Sequence, residues 1–230
     1  MKFLAVFAAA LVALTSPAWA AAPAKAKTRA ATPARIVLPT NVRPDRYEIH
    51  ITPDADHLTF KGGEKIALTV LKATDRIVLN AADLEFKAVS LSGAKAAPRT
   101  VLDPGRQTAA FVFAKPLAPG RYTLSIAYTG KIYEQASGLF ALDYEGKAGK
   151  QRALYTQFEN SDARRLAPLW DEPGVKAVFA LTVDAPAGQM AVSNMPVAQT
   201  TPAADGLQSV RFADSPKMSS YLLFMGLGDF

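Results

Sequence analysis

From residue 36 onward, hydrophobic side chains recur mostly at every second position. Tyr47, Ile49 and Ile51 alternate with Glu48, His50 and Thr52, the pattern of a strand buried on one face, and Pro53 and Asp54 end it. The same period predicts strands over Ile66–Val70, Arg76–Leu79, Phe86–Leu91 and Ala109–Phe113. The turn Ala118-Pro119-Gly120 then leads into another at Tyr122–Tyr128. The pattern resumes at Val178–Val183, Met190–Ser193, Ser209–Ala213 and Ser220–Met225. Turn residues separate these runs at short intervals, and no long segment follows a 3.6-residue period. The predicted fold is therefore all-β: a mainly antiparallel β-sandwich or saddle-like sheet system, and not a βαβ fold. Within it, Gly62-Gly63 reads as a strand bulge or a turn.

One segment breaks the alternation. In residues 155–174, YTQFENSDARRLAPLWDEPG, Tyr155–Phe158 completes a strand. Ser161 or Asp162 is placed to cap a short helical turn through Arg164–Leu166, which Pro168 stops. Asp171 and Glu172 are adjacent, and adjacent side chains on extended backbone point to opposite faces. They are therefore a poor general acid/base couple. The expected role is to accept hydrogen bonds from Arg164, Arg165 or turn amides, with Trp170 as a hydrophobic anchor. Read from its residues alone, the segment is a structural joint.

The N-terminus has a different character. Lys2, the apolar run Phe3–Leu14, and Ser16-Pro17 before Ala18-Trp19-Ala20 have the form of a secretory signal peptide over residues 1–20. Export to the periplasm or beyond is expected, with no membrane span left after cleavage. Residues 21–35 form a basic Ala/Pro/Lys leader, and residues 36–230 form the β domain. Residues 1–35 hold Lys2, Lys25, Lys27, Arg29 and Arg35 and no acid, which is +5 of the total +6. The folded part carries 21 basic against 20 acidic side chains. The positive charge thus belongs to the leader and not to a folded face, which argues against nucleic-acid binding.

Several chemistries drop out. With no cysteine there is neither a thiol nucleophile nor a thiolate metal site. His50 and His57 lie on a strand and in the loop after it, without the HExxH spacing of a zinc helix. There is no GxSxG elbow and no Gly-rich phosphate loop.

Ordered blocks in the chain do resemble a known family. Thr156-Gln157-Phe158-Glu159, Asp162-Ala163-Arg164-Arg165, Pro168 and Trp170-Asp171-Glu172-Pro173 resemble the signature of aminopeptidase N-like zinc metallopeptidases, the gluzincin aminopeptidases. Upstream, Leu38-Pro39 through Tyr47 is similar to the family's opening strand. Downstream, Lys176–Phe179, Val192–Pro196, Ser215–Leu222 and Gly228-Asp229-Phe230 continue the match, which covers about residues 36–230. Asn160-Ser161, Ala167 and Leu169 depart from the common pattern at loop and packing positions.

The resemblance implies a saddle-shaped N-terminal β domain packed on a thermolysin-like catalytic domain. It also implies that Glu159 helps hold the substrate's free α-ammonium and that Gln157 lines the same pocket. The family's Gly-x-Met-Glu-Asn motif, zinc-binding HExxH motif and transition-state tyrosine have no counterpart in these residues. The implied chain is the N-terminal domain of an exported zinc aminopeptidase acting on peptide N-termini, truncated before its catalytic domain. It holds no zinc ligand and is expected to be inactive alone. The competing reading is a non-catalytic secreted β-sandwich binding module. A scaffold reading would require a large exposed apolar face.

Overall fold

Strand formation follows the alternation closely, because each inward side chain removes apolar surface from water while its neighbours stay solvated. The computed structural model describes residues 37–146 and 149–230. The proposed signal peptide and leader lie outside the described residues. The strands are β1 (Val42–Asp54), β2 (Thr59–Val70), β3 (Thr74–Asn80), β4 (Glu85–Leu91) and β5 (Arg99–Asp103). They continue as β6 (Thr108–Leu117), β7 (Gly120–Lys131), β8 (Gly138–Gly146), β9 (Gly149–Gln157) and β10 (Lys176–Pro186). The last are β11 (Met190–Ser193), β12 (Val197–Pro202), β13 (Leu207–Phe212), β14 (Met218–Ser219) and β15 (Met225–Gly228). Short 3-10 turns occupy Ala163–Arg165, Ala204–Gly206 and Ser220–Leu222.

These strands build three sheets. The largest has eight strands in the order β12-β13-β10-β1-β2-β7-β4, with β14 added on β10. A four-stranded sheet runs β11-β15-β9-β8 and a three-stranded one β3-β6-β5. Among the described strands β1 and β10 pair parallel, and the other ladders are antiparallel. The all-β, mainly antiparallel expectation therefore holds.

One continuous core joins the sheets, with Ile51, Ile66, Ile77, Leu79, Phe111, Leu124, Leu139 and Val183 fully buried in it. Tyr47 stacks on its parallel partner Phe179 at 4.9 Å between ring centroids. Phe86 on β4 meets Phe111 on β6 edge-on at 5.5 Å, linking the eight- and three-stranded sheets.

Two expectations change. Gly62-Gly63 is neither bulge nor turn: β2 keeps continuous register with β1 and β7 through both residues. Gly62 lies under the ring of Tyr128, and a Cβ there would run into that ring. The glycine marks a close approach of an aromatic to the backbone. The predicted strand Ser220–Met225 begins instead as a 3-10 turn, and the strand itself is Met225–Gly228. The turn carries Ser220 to a buried carboxylate, described below.

Candidate functional site

β9 pairs with β8, placing Gly138 opposite Gln157, Leu139 opposite Thr156 and Phe140 opposite Tyr155. Its alternation runs two residues past the strand end. Thr156 and Phe158 are buried, and Gln157 and Glu159 are exposed. With a rise of about 3.3 Å per residue, the two exposed side chains leave the same face about 7 Å apart. The peptide bond from Glu159 to Asn160 is cis. Among the described residues no ion pair or side-chain hydrogen bond engages either Gln157 or Glu159. The structure thus brings the two residues together, open and unpaired.

The same face of the four-stranded sheet is apolar. Phe140 packs against Tyr155 at 6.0 Å, and Phe230 against Tyr155 at 5.8 Å. Leu142, Met190 and Phe230 are each about half exposed, at 50%, 52% and 53%. By register, Val192 and Met190 stand opposite Gly226 and Gly228, and Gly226 opposite Tyr155, so all share this side. Gln157 and Glu159 sit at its margin.

The chain then turns back. The Asp162 N–H donates to the Phe158 carbonyl at 2.9 Å and opens the 3-10 turn. Asp162 occupies the cap position, but its side chain does not cap the turn. Its carboxylate accepts instead from Arg165 Nε at 2.9 Å and from the Ser137 hydroxyl at 2.9 Å. Arg165 also donates to Asp83 at 2.6 Å and lies 5.4 Å from the ring centroid of Tyr133. The Tyr133 hydroxyl is pushed up to about 12 by burial first and then by its hydrogen bond to Asp83, against the opposing pull of Arg165. Gly138 has φ 65°, and a side chain there would collide with the Cβ of Arg165, so glycine is needed on both counts.

Arg164 turns inward. Its Nε donates to Asp171 at 2.9 Å, and its other nitrogens reach the Gln107 side chain at 3.2 Å and the Asp171 carbonyl at 3.3 Å. The buried Asp171 carboxylate also accepts from the Ser220 hydroxyl at 2.6 Å. The Asp171 N–H donates to Asn80 Oδ1 at 3.0 Å. Glu172 points elsewhere and accepts the Leu38 N–H at 2.6 Å. Trp170 is 3% exposed, and its backbone N–H donates to the Tyr47 hydroxyl at 3.1 Å.

Of the partners expected for the two acids, Arg164 reaches Asp171, Glu172 accepts from the Leu38 N–H, and Arg165 pairs instead with Asp162 and Asp83. The short reach from Arg165 back to Asp162 within one 3-10 turn explains the choice. Asn80, Asp83, Gln107, Tyr133, Ser137 and Ser220 went unrecognised in the sequence. They lie between 25 and 91 positions away from their partners, and no local pattern marks them.

The histidines do not converge. His50 Nε2 lies 2.8 Å from Asp184 Oδ1, at an ion-pair distance, and His57 pairs with Asp54 at 2.9 Å. Among the described residues no group of three or more metal-binding side chains assembles, so these residues do not fit a zinc site. Among them, too, no helix is long and apolar enough to cross a membrane.

Comparison with known proteins gives this geometry a context. Residues 43–222 match the family described as Peptidase M1 N-terminal domain. Over 193 residues the chain is 41% identical to aminopeptidase N of Acetobacter pasteurianus, covering 84% of this chain and 54% of that protein. It is 36% identical over 200 residues to aminopeptidase M1 of Arabidopsis thaliana, covering 84% of this chain and 23% of that protein. It is 33% identical over 198 residues to the puromycin-sensitive aminopeptidase of Caenorhabditis elegans, covering 84% and 21%. The chain thus spans from about half to about a fifth of the length of these relatives.

Proposed function

Because the chain belongs to the peptidase M1 N-terminal domain family, we propose that it is the substrate-amine-anchoring β domain of an exported, zinc-dependent aminopeptidase. The observation that carries this reading is the open pair Gln157 and Glu159 on one face, at the edge of the apolar sheet surface. In this reading Glu159 takes the α-ammonium of a peptide and Gln157 lines the pocket. In the same reading the apolar face receives a catalytic portion, for which the greater length of the relatives leaves room.

The electrostatics explain why the two parts need each other. A carboxylate and an ammonium about 4 Å apart attract by about 1 kcal/mol in bulk water, but by about 4 kcal/mol at an effective dielectric of about 20. Glu159 on an open sheet face is therefore a weak clamp. Covering that face strengthens it and makes a free amino terminus preferable to an internal peptide bond. Zinc, with the hydrolytic chemistry it supplies, is assigned to the catalytic portion.

In the intact aminopeptidase, Glu159→Gln is expected to lower kcat/KM for aminoacyl anilides by about tenfold to about 150-fold. That is the loss of a hydrogen bond to a charged group worth about 1.5–3 kcal/mol. The 230-residue chain by itself is expected to give no chelator-sensitive hydrolysis of the same substrates. A folded Glu159→Gln enzyme with unchanged kcat/KM removes the anchor assignment. Chelator-sensitive turnover by the chain alone removes the division of labour.

A further inference from the structure

Glu64 stands on β2 in the sequence of inward positions Phe60, Gly62, Glu64, Ile66 and Leu68, and is 3% exposed. The ladder register surrounds it. Ile49 of β1 and Ile126 of β7 stand directly opposite. Tyr47 and Tyr128 stand on the diagonals, opposite Ile66 and Gly62. Neither oxygen of the Glu64 carboxyl group has a hydrogen-bond partner, nor does the buried Tyr128 hydroxyl.

The groups that face it carry no compensating positive charge. Lys61 and Lys65, its neighbours on β2, point outward into solvent. On β1 and β7 the facing titratable groups are the phenols of Tyr47 and Tyr128, both pushed up first of all by burial. From the loop side, Asp171 also acts on Tyr47, and Asp171 is itself paired with Arg164. Among the described residues no Lys, Arg or His forms an ion pair with Glu64. An ionised carboxylate in such a place is far costlier than a neutral acid, so the group keeps its proton.

We propose that Glu64 is carried as the neutral acid in the folded domain and makes this an acid-favouring fold, whose stability declines as pH rises above the ordinary carboxylate range. Burial alone holds the carboxyl well above the usual carboxylate range. In the unfolded chain the same group titrates near about 4.3. Above that value the folded state binds one proton more than the unfolded state, and unfolding releases it to solvent. The folding equilibrium constant therefore falls about tenfold per pH unit, until the raised folded value is passed.

Other groups act in separable ways. Asp54, Asp75, Glu85, Asp143 and Asp184 are all held below their ordinary values, so their contributions are lost only at more acidic pH. His57, raised by the hydrogen bond its ring donates to Asp54, loses stabilisation as pH rises and so has the same sign as Glu64. The comparison of wild type with a Glu64 variant cancels the His57 contribution.

The test is urea unfolding of the chain and of Glu64→Gln and Glu64→Leu, from about pH 5 to about pH 7. The ratio of variant to wild-type folding constants is expected to grow about tenfold per pH unit. Parallel stability curves overturn the proposal. Carbon-13 NMR of the wild-type chain labelled at glutamate carboxyls is an independent check should a variant not fold. One resonance is expected to titrate well above all the others. A spectrum in which every glutamate titrates in the ordinary carboxylate range overturns the proposal as well.

Discussion

Truncating Arg164 and Arg165 in turn separates a buried ion pair from an exposed one within a single turn of chain. The Asp171 side chain is 1% exposed and that of Arg164 14%. Removing one partner of a buried pair costs about 3–5 kcal/mol, because the remaining charge stays buried without compensation. In Arg164→Ala the Ser220 hydroxyl and the backbone N–H of residue 164 still reach Asp171, so a loss near about 3 kcal/mol is expected. The acids that Arg165 serves, Asp83 and Asp162, are 43% and 29% exposed and turn to water when released. With its contact to the Tyr133 ring included, Arg165→Ala is expected to cost about 1–2 kcal/mol. Urea unfolding followed by tryptophan fluorescence reads both losses. At about 2–3 kcal/mol per molar of urea, Arg164→Ala lowers the midpoint by about 1–1.5 M, well beyond Arg165→Ala. An equal loss in the two variants, or a larger one for Arg165→Ala, refutes the argument that burial sets the energetic order.

Two further outcomes test the fold and the open face. Gly62→Ala drives a methyl group into the Tyr128 ring and is expected to cost about 1–3 kcal/mol, while Gly63→Ala, whose Cβ meets open space, costs nothing; matching losses in thermal unfolding refute the close-approach account of Gly62. The apolar face is expected to make the isolated chain self-associate, and Leu142→Lys with Met190→Lys is expected to lower its light scattering while changing stability by less than about 0.5 kcal/mol. A wild-type chain that stays monodisperse at high concentration, or a variant that associates equally, removes that reading of the face.

The strands most legible in the sequence are those with one dry face. The inward set of β1 (Tyr47, Ile49 and Ile51) is also its alternating set, and β11 has the bounds that its pattern predicts. Among the strands without a predicted counterpart, β5 and β12 are largely exposed on both sides and show no period to read. β12 has no residue away from solvent, and its place is set by pairing with β13. Glu64 stands between these cases. Its inward register is readable from Phe60, Ile66 and Leu68, but the absence of a partner depends on what β1, β7 and the loop present to it, and that is a property of the assembled core. The pair Gln157 and Glu159 was legible by likeness to other proteins, while its shared face follows from strand alternation alone.

Residues 155–174 contain both an open pair of polar side chains and the most heavily fastened loop of the domain, and the two features depend on each other physically. A side chain that is to hold an ammonium must be kept within about 0.5 Å of its productive position by neighbours that are themselves locked. Glu159 lies past the end of β9, where ladder hydrogen bonds no longer hold the backbone. The buried Phe158 on one side, and the turn closed on the Phe158 carbonyl by Asp162 on the other, take over that task. Arg165 ties the turn to Asp83 and Tyr133, while Arg164, Asp171 and Trp170 tie its far end to Gln107, Asn80, Ser220 and Tyr47. The joint and the proposed anchor are therefore coupled. A variant such as Arg165→Ala, which leaves Glu159 chemically intact, is expected to raise KM in the intact aminopeptidase by loosening the position of Glu159, and rescue by Arg165→Lys is expected to be partial, since lysine cannot reach Asp162 and Asp83 with a planar fork.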